Sequence, residues 1–103
     1  VVTRPVVTTR RADEDIAAAV EHYAGEGAID AALDLIDAFA DATRILVEHP
    51  SIGSPALAVA TGIAELRSFA LARFPYALVY TDDADAVRVH RVLHTSRDIP
   101  AEL

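Results

Sequence analysis

Cysteine, lysine, methionine and tryptophan are among the residue types missing from this 103-residue chain. Without cysteine there is no disulfide framework and no thiolate chemistry, and the expected compartment is the cytosol. Without lysine every side-chain cation is an arginine, a bias expected of a GC-rich bacterial genome. Long apolar runs are also missing. None approaches the roughly 20 residues needed to span a bilayer, and nothing resembles a signal peptide, so no membrane role is expected. Positive charge is scarce: nine arginines face sixteen acids, for a net charge of −7. Proteins that grip nucleic acid gain affinity by releasing counterions from its phosphates. This chain instead carries a repulsive field toward polyanions, and strong direct nucleic-acid binding is not expected. No Ser-His-Asp arrangement, Gly-rich phosphate loop or zinc pattern occurs, and no cofactor is predicted.

The length suits one domain, residues 1–103, with a real but modest core. Charge is spread unevenly. Residues 1–50 hold ten acids against four arginines, and residues 51–103 hold six against five. Val6 to Thr9 reads as a short strand, and Thr9 as the N-cap of a helix starting near Arg10. Ala12, Ile16, Ala19, Val20 and Tyr23 form one helical stripe, which the Gly-Glu-Gly of 25–27 stops. A second helix is predicted from Ala28 to Glu48, with Pro50 beyond its end. It has two adjoining apolar stripes: Ala31, Leu35, Phe39, Ala42 and Leu46, and Ile29, Leu33, Ile36, Ala40 and Val47. So wide an arc predicts contact with both the first helix and a sheet. Asp30, Asp34, Asp37 and Asp41 mark the opposite side, read as a solvated face and not a metal site.

Residues 49–62, with two prolines and two glycines, are expected to form a loop. Strands are predicted at Leu66–Ala72, Tyr76–Thr81 and Ala86–Leu93. The predicted fold is α+β: an N-terminal strand and a two-helix hairpin packed on one face of a mostly antiparallel sheet of about four strands. Neither of the last two strands separates apolar from polar residues cleanly. The second sheet face therefore reads as partly apolar and studded with arginines, and a partner is expected to cover it. His90 and His94, four apart in a strand, lie about 13 Å from each other, too far to share one metal ion.

Residues 62–103 resemble the C-terminal half of the ParE toxins of bacterial toxin–antitoxin systems, in the RelE/ParE superfamily. The resemblance is carried by Leu66 to Phe69, Arg73 to Pro75, Tyr80, and the closing Arg-Val-Leu-His-x-x-Arg-Asp of Arg91 to Asp98. Thr9, Ala12, Asp15 and Ile16 match the family's helix start, and the Glu-His-Pro-Ser-Ile-Gly of 48–53 its segment after the second helix.

The resemblance implies a toxin without catalytic residues. It would poison DNA gyrase by direct binding, and a ParD-type antitoxin would neutralise it in a hetero-oligomer. The expected partner-binding residues are Arg67, Arg73, Tyr76, Tyr80, Arg91, His94 and Arg97. A RelE-like, ribosome-dependent messenger ribonuclease is the alternative. It would draw on Glu65 or His94 for proton transfer and on Arg67, Arg73 and Arg97 to stabilise charge. A non-toxic antitoxin-binding relic is the third reading. Each arginine also has a structural reading as half of an ion pair, Arg91 above all.

Overall fold

The computed structural model describes residues 4–103; residues 1–3 of the expected domain lie outside the described residues. Strand β1 (Val6–Thr8) is followed by helices α1 (Arg10–Gly25) and α2 (Ile29–Glu48). Then come a short helix α3 (Ala56–Thr61), strands β2 (Arg67–Ala70), β3 (Tyr76–Asp82) and β4 (Val87–His94), and a final turn of helix α4 (Ile99–Glu102). The sheet order is β1-β4-β3-β2. Only β1–β4 is parallel, so the expected mostly antiparallel four-stranded sheet is present.

Local chemistry explains the boundaries. Thr9 caps α1, its hydroxyl accepting from Ala12 N–H at 3.2 Å while donating to the His90 carbonyl at 2.9 Å. One side chain thus starts the helix and ties it to β4. The α1–α2 turn passes through Gly27 at φ +78°, left-handed backbone that glycine adopts without a Cβ penalty. The α1–α2 pair lies on one sheet face, where Leu35, Phe39, Ala42 and Leu46 meet Ala12 and Ala19 together with Leu78, Tyr80, Val87, Val89 and Val92.

Three expectations are corrected. The segment after α2 is not all loop: residues 56–61, Ala-Leu-Ala-Val-Ala-Thr, form α3 between the breakers Pro55 and Gly62. The second stripe of α2 is not buried, since one stripe suffices to reach both α1 and the sheet. Ile29, Leu33 and Ile36 are 54%, 56% and 47% exposed. The second sheet face does not wait wholly for a partner either. Leu57 and Ala58 of α3 and Ile99 of α4 pack there on Leu66, Val79 and Leu93. Of the arginines on that side, Arg88 is neutralised by Asp83 and Asp85. None of the described helices is long and apolar enough to cross a membrane.

Candidate partner-binding site

Because the chain leaves β1 at Thr8 to enter α1, no strand among the described residues flanks that side of β4 beyond Val89. The gap is met from α1. The Asp15 carboxylate accepts the Val92 N–H at 3.0 Å, doing what a neighbouring strand would have done. The same carboxylate takes a bidentate grip from Arg91, with Nε at 2.7 Å and Nη2 at 3.1 Å. A third Arg91 donor reaches the Glu102 carbonyl at 3.3 Å. Arg91 and Asp15 side chains are only 11% and 18% exposed. Hydrogen bonding to Asp15 holds the guanidinium above its usual range, and burial only partly opposes this. Arg91 therefore joins α1, β4 and α4, and its charge is answered inside the chain.

Beside this clasp lies an open cleft of about 440 Å³. Its polar lining includes Asp15, His22, Tyr76, Arg91, His94 and Arg97. Tyr76 and His94 are opposite each other on β3 and β4, their rings edge to face at 5.2 Å. His94 Nδ1 accepts the Ser96 N–H at 3.1 Å, with the Ser96 hydroxyl 2.7 Å away. A backbone N–H can only donate, so the neutral ring carries its proton on Nε2. Burial, with Tyr23 beside it, pushes the Tyr76 phenol up against the opposing pull of Arg97, leaving it a neutral donor at physiological pH. Arg97 is exposed and pairs with Glu102 at 3.0 Å. The cleft thus sets tyrosine, histidine and arginine donors along an unflanked strand, an arrangement suited to an extended polypeptide.

Four of the seven expected partner-binding residues, Tyr76, Arg91, His94 and Arg97, line this cleft; the other three do not. Tyr80 is fully buried, its hydroxyl donating to the Pro50 carbonyl at 2.8 Å and accepting from Gly53 N–H at 2.9 Å. It belongs to the core and not to a contact surface. Arg67 donates to the carbonyls of Ser51 (3.1 Å) and Gly53 (2.7 Å), fastening the same loop to β2. Arg73 is exposed beside a groove between α2 and the end of β2, with no side-chain hydrogen bond or ion pair among the described residues. Of the five residues the ribonuclease alternative would use, only His94 and Arg97 share a cleft. Glu65 stands exposed in the turn before β2 at φ +62°. Among the described residues no group of three or more His, Cys, Asp or Glu could hold a metal ion.

Asp15, His22 and Ser96 were not anticipated at this site. Ser96 had a usable signal, lying two residues after His94 at the end of a strand. Asp15 had none, because its partner is 76 residues away.

No curated protein matches the chain by sequence. Among solved structures, the fold resembles a chain of the chromosomal ParDE TA system from P. aeruginosa, with a TM-score of 0.74 at 18% identity over 89% of this chain and 96% of that one. Residues 6–99 match the family model described as ParE toxin of type II toxin-antitoxin system, parDE. A match running from β1 to the first residue of α4 spans nearly every element described, and the chain belongs to the ParE toxin family.

Proposed function

We propose that this protein is the toxin of a type II toxin–antitoxin pair that inhibits DNA gyrase by binding it, and that a ParD-type antitoxin neutralises it. The observation that carries this reading is the family match over residues 6–99, which takes in the closing segment from Arg91 to Asp98. The geometry is consistent with binding chemistry. The cleft offers hydrogen-bond donors along a strand edge, and its most buried cation, Arg91, is already paired with Asp15. Phosphoryl transfer would require an acid, a base and free cations converging on one phosphate. Glu65, Arg67 and Arg73 lie apart from His94 and Arg97 in separate parts of the fold. The net charge of −7 also disfavours docking on RNA.

The test is to add the purified protein to gyrase and supercoiled DNA and measure trapped cleavage complexes, with and without antitoxin. Accumulation of cleaved DNA that antitoxin reverses is the expected result. Intact gyrase activity together with messenger cleavage on ribosomes would overturn it in favour of the ribonuclease. Harmless expression without antitoxin would favour a relic that only binds its antitoxin.

A further inference from the structure

On α2, the exposed residues Ile29, Leu33, Ile36 and Ala40 repeat at steps of four, three and four. That spacing makes a straight apolar seam about 17 Å long on the outer side of the helix, the pattern one helix offers to another. At each seam position the next residue is an aspartate: Asp30, Asp34, Asp37 and Asp41. One residue is about 100° of helical rotation, so these acids form a parallel row along one flank of the seam. On the other flank lie the buried Ala32, Leu35 and Phe39. Asp41 pairs with Arg44 at 2.7 Å; Asp30, Asp34 and Asp37 have no ion-pair partner among the described residues. At its far end the seam continues through Thr43 and Val47 into a shallow groove beside β1, whose outer edge pairs with no strand among the described residues.

Resting on the antitoxin reading given above, we propose that this seam receives an amphipathic helix of the antitoxin that carries arginine or lysine along the flank facing the aspartate row. Charge selects this occupant. A second copy of this chain, packed seam to seam with its α2 antiparallel, would bring its own aspartates to the same side and set two acidic rows against each other. A helix with a basic flank answers the carboxylates of Asp30, Asp34 and Asp37 while its aliphatic side chains cover Ile29, Leu33 and Ile36. A partner helix of about twelve residues matches the seam in length, and a helix that short is marginal alone in water, so it orders on docking.

Two arms test this with the whole protein. In the first, antitoxin encoded beside the gene is titrated against wild type, Leu33→Glu, Asp34→Lys/Asp37→Lys and, as a control, Val59→Glu, which alters an exposed residue of α3. Folding of each variant is checked by circular dichroism. Leu33→Glu and the double lysine variant should each weaken binding by at least about tenfold, with Val59→Glu unchanged. In the second, an 18-residue peptide with leucines at seam spacing and arginines on one flank is compared with its glutamate-flanked counterpart. Only the basic peptide should shift the Ile29, Leu33 and Ile36 methyl resonances, and it should lose affinity as salt rises.

Equal antitoxin binding by wild type and Leu33→Glu overturns the seam but leaves the antitoxin reading standing. Failure of antitoxin to bind wild type overturns both. Dimerisation of the protein alone that Leu33→Glu abolishes overturns the choice of occupant.

Discussion

Tyr80 and Gly53 are in mutual contact, the tyrosine hydroxyl accepting the glycine N–H while donating to the carbonyl of Pro50, earlier in the same loop. The approach is so close that a Cβ on residue 53 would fall 2.5 Å from the hydroxyl and 2.9 Å from the Ser68 carbonyl. The loop after α2 is thereby pinned to the sheet from inside, while Arg67 holds its carbonyls from the rim. Tyr80→Phe should cost about 1–3 kcal/mol by leaving a loop N–H and carbonyl unpaired. Gly53→Ala should cost a similar amount, about 1–3 kcal/mol, through overpacking. Urea unfolding of the two variants checks both.

The Asp15–Arg91 pair predicts a specific non-additivity. Asp15→Ala strands a mostly buried guanidinium and the Val92 N–H, with an expected loss of about 1.5–3 kcal/mol. Arg91→Met strands the carboxylate in turn. Making both changes should cost less than the sum of the two, because neither charge is then left alone. A double-mutant cycle from chemical denaturation measures the difference.

His90 predicts the acid side of the stability profile. Burial, aided by Arg88 and opposed by Asp83, holds this ring below its ordinary value near 6.5, and Nε2 lies 2.8 Å from the Thr81 hydroxyl. The unfolded chain therefore takes up this proton first as pH falls. Stability from this group is complete above 6.5 and declines as pH drops below it toward the depressed folded value. His90→Gln should flatten the slope of unfolding free energy as pH falls below about 6.5.

Glu65, held in left-handed backbone with its side chain exposed, should be better served by glycine. The Glu65→Gly variant gains the relief of Cβ strain and loses part of it to the freer unfolded chain, for a net stabilisation of about 0.5–1 kcal/mol. Thermal melts read this directly. If the ribonuclease alternative were correct, the same variant would lose activity while gaining stability.

Arg73→Ala removes an exposed cation that has no ion-pair partner among the described residues, so its melting curve should match wild type within about 0.5 kcal/mol. Loss of gyrase poisoning with an unchanged melt would mark Arg73 as a target contact. Retained poisoning would assign target binding elsewhere.

The elements most legible in the sequence were those governed by local rules. Thr9 preceding a periodic stripe, the Gly-Glu-Gly stop and the alternating strands each specify their own geometry. Helix α3 was hidden because Pro50, Gly53, Pro55 and Gly62 crowd its surroundings, and these residues bound the helix without interrupting it. The second apolar stripe of α2 was read correctly as apolar and wrongly as buried, since periodicity reports a face but not what covers it. His94 and Arg97 were found through the tail motif, and Tyr76 through its strand. The roles of Arg67, Tyr80 and Arg91 depend on carbonyls and a carboxylate distant in sequence, where no spacing rule applies.

The parallel pairing of β1 with β4 sets an order on synthesis. Val6 must wait for Val87, and Thr8 for Val89, before the first strand has a neighbour. At roughly 5–20 residues per second, translation needs on the order of ten seconds to supply that neighbour. The helical hairpin emerges from the ribosome well before the strand that completes the sheet, so a nascent chain exposes the apolar face of α2 before its sheet is whole.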